Sequence, residues 1–168
     1  MTDFKLYIDG KFCDAAEGSV FASIDPASEE PWTEVPESKV EDVDRAVAAA
    51  KRALEIGPWA DMSATARGRM LSRLGDLLIE RADEFAEIET RDSGKVIHET
   101  AAQARYMAGY YHYYGGLADK IEGSVPPVDK PGMIAMTYRE PLGVVAAIVP
   151  WNSQLFLTAT KLGPALAA

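Results

Sequence analysis

The chain is poor in cysteine and in positive charge, and each shortage excludes a class of protein. Its single cysteine, Cys13, permits no internal disulfide, which predicts a reducing compartment and a cytoplasmic location. Asp and Glu outnumber Lys and Arg by 26 to 17, so the net charge is -9, and the sequence shows no basic patch. We therefore expect neither nucleic acid nor a membrane surface as a partner.

Three further absences narrow the function. No apolar run approaches the roughly 20 residues that span a bilayer, and residues 1–10 lack the charged and apolar regions of a secretory signal. His98 and His112 do not have the spacing of zinc ligands, so no metal site of that kind is predicted. Neither a GxGxxG motif nor a phosphate-binding P-loop is present.

Two parts of the chain predict antiparallel strands. Asp9-Gly10, flanked by the alternating residues 5–24, is a strong hairpin signal, and Pro26 indicates a turn after it. The segment 121–142 contains four prolines between alternating apolar residues. It predicts two short strands around a turn rich in proline and glycine.

Helical spacing of apolar residues predicts three helices between these strand regions. The first two have polar N-cap candidates, Ser38 in a capping box with Glu41, and Ser63. Glycine and proline indicate where the helices end. In chain order, the predicted ends are Gly57-Pro58, residues 92–95, and Gly115-Gly116 or shortly after.

The apolar run from Val144 to Val149 lacks the alternation of a strand with one face in water. Continuous apolar runs are typical of strands covered on both faces, inside the parallel sheet of an α/β protein. A helix-like segment, LFLTATKL, follows and completes one strand–helix unit. A parallel sheet needs several such units, so we expect this sequence to hold only the beginning of an α/β domain.

Asn152 ends the turn between the predicted strand and the helix. Ligands of open α/β sheets bind beyond the carboxyl ends of the strands, near the start of the next helix. There, the amide of Asn152 is suited to donate a hydrogen bond to a developing oxyanion; the alternative is that Asn152 or Ser153 caps the helix. Lys161 lies about 13 Å further along the helix. It is either a ligand of a cofactor phosphate or ribose, or a surface lysine.

Several stretches also carry a family resemblance. EPLGVV at 140–145, PWN at 150–152 and KLGPALA at 161–167 follow, in order, LYIDG and ETRDSGK. Together they resemble the aldehyde dehydrogenase superfamily. The resemblance covers essentially the whole chain, but only the N-terminal part of the family's much longer one.

The resemblance implies an oxidoreductase that oxidises an aldehyde to a carboxylic acid with NAD or NADP through a thiohemiacetal. Asn152 would donate to the oxygen of that intermediate, and Lys161 would lie near the cofactor. Ile24 and Asp92 match a monovalent-cation site of some members. The residues that would line the cofactor are Val149, Pro150 and Trp151.

The resemblance also implies what is missing. The family's nucleophilic cysteine and general-base glutamate would lie beyond residue 168, and Cys13, next to Asp14, is no substitute. The 168-residue chain alone is therefore expected to be inactive. Ser153 and Gln154 stand where relatives usually have an aromatic residue and a proline, a difference that bears on specificity. A tyrosine-rich stretch predicts a packing face, or in relatives a wall of a substrate tunnel: Tyr106, Tyr110, Tyr111, Tyr113 and Tyr114.

The implied fold class is α/β: hairpins, three helices and the first strand–helix unit of a Rossmann-like cofactor domain. Residues 1–120 would be the hairpin and helical part, 121–142 the bridging strands of a homo-oligomer (dimer or tetramer), and 143–168 the truncated strand–helix unit. Two alternatives remain. One is a non-catalytic module that pairs with full-length subunits through 121–142. The other is an acylating aldehyde dehydrogenase that uses coenzyme A.

Overall fold

The computed structural model describes residues 4–168, which form two short antiparallel ladders and five helices. The strands are β1 (Leu6–Ile8), β2 (Lys11–Cys13), β3 (Val20–Asp25) and β4 (Glu30–Pro36). The helices are α1 (Val40–Glu55), α2 (Ala64–Glu80), α3 (Ala82–Ser93), α4 (Ile97–Leu117) and α5 (Gln154–Ala167). A 3-10 turn at Ala118–Lys120 follows α4.

Both ladders are hairpins closed by tight turns. Asp9 and Gly10 join β1 to β2 with φ angles of 55° and 74°, the left-handed region that an Asp-Gly turn supplies most easily, so the predicted hairpin is confirmed. The turn after β3 is also confirmed. There the Asp25 carboxylate accepts a hydrogen bond from the Ala27 N–H at 2.8 Å.

The start of α1 differs from the prediction by one residue. Lys39, not Ser38, is the N-cap residue, and Asp42, not Glu41, accepts the hydrogen bond from the cap N–H at 3.0 Å. Asp42 prevails because its carboxylate also binds the Ala16 N–H at 2.9 Å and the Arg45 guanidinium. One buried carboxylate therefore ties the helix start to the end of the first hairpin.

Replacing Asp42 with alanine is expected to lower the Tm by several degrees. Hydrogen bonds from the Lys39 N–H and Arg45 hold the pKa of Asp42 below its ordinary value, so the charged form stabilises the fold. That stabilisation is present above the unfolded-state pKa and is lost as the pH falls through the folded-state pKa. Thermal unfolding from neutral to strongly acidic pH measures it. The control is Asp44→Ala, an exposed carboxylate on the same helix; equal losses in both variants would contradict this role.

The second predicted helix is two helices. Arg81 ends α2 and begins α3 with φ of -114° and ψ of 19°, and its guanidinium pairs with Glu84 in the first turn of α3 at 2.7 and 2.8 Å. The Ser63 cap is confirmed, since its hydroxyl accepts from the Ala66 N–H at 3.3 Å. The break after α3 is confirmed as well, because Gly94 follows it with φ of 74°.

The core lies between α4 and the three helices packed on it, α2, α3 and α5. Its buried members are mostly small: Leu71, Ala82, Ala86, Ala104, Met107, Tyr111, Ala118, Ala159 and Ala167. The crossing of α2 and α4 is especially close. A Cβ placed on Gly68 would lie 2.2 Å from the carbonyl oxygen of Gly115. No helix within residues 4–168 combines the length and apolar character that crossing a membrane requires.

Residues 121–153 do not form the predicted strands. The segment does double back, since the Thr137 N–H donates to the Ser124 carbonyl at 2.8 Å, but no ladder develops. The run at 144–149 is also irregular, and Val145 and Ile148 are 60% and 85% exposed. A strand takes its backbone hydrogen bonds from neighbouring strands, and residues 4–168 supply none to this run.

Candidate functional site

Asn152 lies in the turn that leads into α5. Ser153 is the N-cap residue of that helix but makes no capping bond with its side chain. Asn152 is exposed, and within residues 4–168 its amide has no hydrogen-bond partner. Side-chain capping, the alternative role for both residues, is thus absent from this helix start. The amide of Asn152 is open to a ligand.

The outer face of α5 carries Lys161. A stripe of small residues, Ala159, Gly163 and Ala167, is buried against the core, and a Cβ on Gly163 would lie 3.0 Å from the Tyr114 ring. Lys161 is exposed, and its ammonium forms no ion pair in the described part of the chain. The predicted role of Lys161 as a ligand of a cofactor phosphate or ribose stays a prediction.

The residues predicted to line the cofactor precede Asn152. Val149 is half-buried, whereas Pro150 is exposed and Trp151 is 76% exposed. The structure therefore brings these three residues to the same turn as Asn152, with their surface open on one side. Lys161 stands apart from them, further along α5.

Sequence reasoning missed a polar cluster directly beneath this turn. The Lys95 ammonium, only 15% exposed, lies 3.4 Å from Glu89 Oε1, donates to Gln103 Oε1, and donates to Ser153 Oγ at 3.1 Å. The next side chain, Gln154, donates from Nε2 to Asp92 Oδ2 at 3.0 Å. We call these six residues the anchor network: Glu89, Asp92, Lys95, Gln103, Ser153 and Gln154. A sequence signal for this cluster is the charged stretch ETRDSGK, which contains Glu89, Asp92 and Lys95.

Glu89 is the most buried charged member of the anchor network, with 3% of its surface exposed. Burial raises the pKa of Glu89, and the nearby Lys95 acts in the opposite direction. Two acceptor atoms of the network, Glu89 Oε2 and Gln154 Oε1, are buried without a hydrogen-bond partner among the described residues. The network is therefore polar throughout, with Glu89 buried and the other five members partly exposed.

Asp92, one of the two residues predicted to line a monovalent-cation site, accepts hydrogen bonds from side chains. Its Oδ1 accepts from the Ser23 hydroxyl at 2.5 Å, and that hydroxyl also accepts from Trp32 Nε1 at 3.2 Å. Ile24, the other candidate, follows Ser23 in β3. No three His, Cys, Asp or Glu side chains within residues 4–168 are grouped as a metal site would require.

The tyrosine-rich part of α4 divides between two faces. Tyr111 is buried in the core, and burial raises the pKa of its hydroxyl. Tyr106 is 65% exposed and stacks on Phe156 of α5 with ring centroids 6.1 Å apart, while Tyr110 meets the same ring edge-on at 5.4 Å. The aromatic residues thus hold α5 against α4, as the packing alternative predicts.

The architecture and the motifs can now be compared with known proteins. The profile described as the aldehyde dehydrogenase family matches residues 12–168. The chain belongs to the aldehyde dehydrogenase family. The resemblance inferred from the motifs is therefore confirmed.

Individual aldehyde dehydrogenases match nearly the whole chain. The (Z)-2-((N-methylformamido)methylene)-5-hydroxybutyrolactone dehydrogenase of Acinetobacter baylyi is 55% identical over 168 residues, 100% of this chain and 34% of that protein. The NADP/NAD-dependent aldehyde dehydrogenase PuuC of Escherichia coli is 41% identical, over 98% of this chain and 33% of its own length. The structure of PnpE from Pseudomonas sp. WBC-3 aligns with a TM-score of 0.93 at 43% identity, covering 99% of this chain and 34% of that one.

These matches locate the chain within the family. It spans about one third of the length of the curated relatives it matches. Its helices and short strands correspond to the N-terminal portion of solved aldehyde dehydrogenases, which confirms the predicted α/β class.

Proposed function

We propose that this chain is the N-terminal third of an NAD(P)-dependent aldehyde dehydrogenase. The enzyme would convert an aldehyde, water and NAD(P)+ into a carboxylic acid and NAD(P)H. The observation that carries the proposal is the open amide of Asn152 at the start of α5, in a chain of this family. A reducible nicotinamide supplies the hydride acceptor when it is bound.

The residues of this chain would bind the cofactor and polarise the carbonyl group of the aldehyde. The Asn152 amide donates a hydrogen bond to the oxygen that gains negative charge when a cysteine from outside residues 1–168 attacks the aldehyde carbon. Lys161 presents a positive charge to a phosphate or hydroxyl of the cofactor. Val149, Pro150 and Trp151 form the wall against which the cofactor lies. Within residues 4–168 the one cysteine, Cys13, lies in β2 of the first hairpin and not at the turn of Asn152, so the nucleophile and the general base would come from the rest of the protein.

The substrate class is an aldehyde or a cyclic form of one. The Acinetobacter baylyi relative is named for acting on a 5-hydroxybutyrolactone, which makes compounds of that type the first substrates to test. PnpE has been solved with nicotinamide adenine dinucleotide, whereas PuuC is named for both cofactors, so both cofactors enter the test.

The wider organisation is part of the same proposal. Residues 1–120 and 143–168 would contribute to the cofactor domain, and 121–142 would bridge the subunits of a cytoplasmic homo-oligomer. The exposed apolar side chains of 121–142, among them Ile134 and Tyr138 at 77% and 84%, suit pairing with further chain.

The test is a steady-state assay of the protein that contains this chain together with the remaining two thirds. We expect reduction of NAD+ or NADP+ that depends on an aldehyde or 5-hydroxybutyrolactone. Identifying the organic product distinguishes the two reactions. A hydrolytic enzyme gives a free acid, whereas an acylating enzyme gives an acyl-coenzyme A, and only when coenzyme A is added. No nicotinamide reduction with any of these substrates would reject the proposal. Activity of residues 1–168 alone would overturn the part that assigns the chemistry to missing residues.

A further inference from the structure

Within residues 4–168, the contacts that fix the position of Asn152 lie on its C-terminal side. Residues 144–151 before it are irregular, and only Val149 among them is partly buried. After it, Ser153 and Gln154 are half-buried and hydrogen-bonded to other elements. Whatever fixes these two residues also fixes the backbone from which the Asn152 amide projects.

The groups that bind these two residues are themselves well held. Lys95 has three N–H donors, and the structure provides three acceptors: Glu89 Oε1, Gln103 Oε1 and Ser153 Oγ. Asp92 is held from its other oxygen by the Ser23 hydroxyl in β3 at 2.5 Å. The contacts are charge-assisted, and charged donors and acceptors make stronger and more directional hydrogen bonds than neutral ones.

The far end of α5 is held as well. Arg67 of α2 donates from its guanidinium to the carbonyl oxygen of Ala167 at 3.2 Å. Because Arg67 binds this end of α5 and the helix packs along α4, the anchor network needs to set only Ser153, the N-cap residue, and Gln154, the first residue of the helix.

We propose that Lys95 and Asp92 are positioning residues for the reaction, which hold Ser153 and Gln154 so that the Asn152 amide is aimed at the developing oxyanion. The inference rests on the proposed function. It predicts that substituting Lys95 or Asp92 lowers kcat only when the Asn152 amide is present. A purely structural contact would act independently of the Asn152 side chain.

A double-mutant cycle on the full-length protein tests this. Lys95→Met removes the ammonium but keeps most of the stem. We expect kcat to fall about 10- to 100-fold, as misplacement of a reacting group does, with the KM for the cofactor little changed. In an Asn152→Ala background, where the amide is already absent, the same change should lower kcat less than about twofold. Lys51→Met, on the exposed face of α1, is the matched control and should leave both backgrounds unchanged.

A milder variant provides the test if Lys95→Met does not fold. Ser153→Ala removes one hydroxyl and leaves Lys95 with its two other acceptors. We expect a severalfold fall in kcat that is likewise lost in the Asn152→Ala background. If either variant lowers kcat by the same factor in both backgrounds, the proposal is overturned. A change in the aldehyde KM with kcat intact would overturn it as well. If Asn152→Ala itself retains full kcat, the oxyanion role of Asn152 is wrong and the positioning proposal is overturned with it. No nicotinamide reduction by the parent protein would instead reject the proposed function, so the two failures are distinguishable.

Discussion

Replacing Asn152 with alanine is expected to lower kcat of the full-length enzyme about 100- to 1,000-fold, the usual cost of removing one oxyanion donor. The amide has no structural partner within residues 4–168 and does not cap α5. Its loss should therefore leave folding intact. The KM for the cofactor should change little, because the missing hydrogen bond forms only as negative charge develops.

Two measurements make this result specific. Steady-state kinetics of Asn152→Asp, which is close in size but has no N–H donor, should show a loss as large as that of alanine. Thermal unfolding of both variants should give the Tm of the parent protein. A loss below tenfold in both variants would assign the oxyanion to other donors, and a large fall in Tm would give Asn152 a structural role instead.

The largest effect on stability is expected where α2 crosses α4. Alanine at Gly68 would place its Cβ 2.2 Å from the Gly115 carbonyl oxygen, and alanine at Gly115 would place it 2.7 Å from the Gly68 carbonyl oxygen. Both obstacles are backbone atoms, which cannot rotate away, so the helices must separate. We expect each variant to lose about 1–3 kcal/mol of unfolding free energy, the range of overpacked cores.

The same helix provides a control of opposite sign. Gly109 of α4 has no atom within 4 Å of a Cβ placed on it and is exposed. Gly109→Ala should stabilise the protein by about 0.5–1 kcal/mol, because alanine loses less conformational entropy in a helix. Urea unfolding of the variants measures both effects. If Gly109→Ala destabilises the protein as much as Gly115→Ala does, the crossing distance does not explain the loss at Gly115, because Gly109 has no atom within 4 Å of the added Cβ.

Local signals predicted the first 120 residues well because their structure depends on near neighbours. The Asp9-Gly10 turn, the Ser63 cap and the end of α3 at Gly94 are each set by a few adjacent residues. The error at the start of α1 arose from contacts outside the capping box. The Ala16 N–H and Arg45 favour Asp42 over Glu41 as the capping acceptor, and neither contact is visible in the spacing of a capping box.

The candidate site shows the same division. Position along the chain predicted the helix that follows Asn152 and carries Lys161, and that helix forms; the roles of the two residues stay predictions. The anchor network was not predicted, because Lys95 and Ser153 are 58 residues apart and neither residue type alone indicates the other. The run at 144–149 was predicted to be a buried strand and is irregular here, because a strand also requires a neighbour and pairing is a property of more chain than these residues.

The irregular run at 144–149 has a consequence for biosynthesis. Ribosomes add roughly 5–20 residues per second. In a protein three times this length, as the curated relatives are, the helical layer can fold early, since α2, α3, α4 and α5 pack mainly on one another. An apolar run that pairs with strands made later would wait for them on the order of tens of seconds. During that interval Val145 and Ile148 would stay as exposed as they are here, at 60% and 85%, and exposed apolar side chains of this kind favour aggregation.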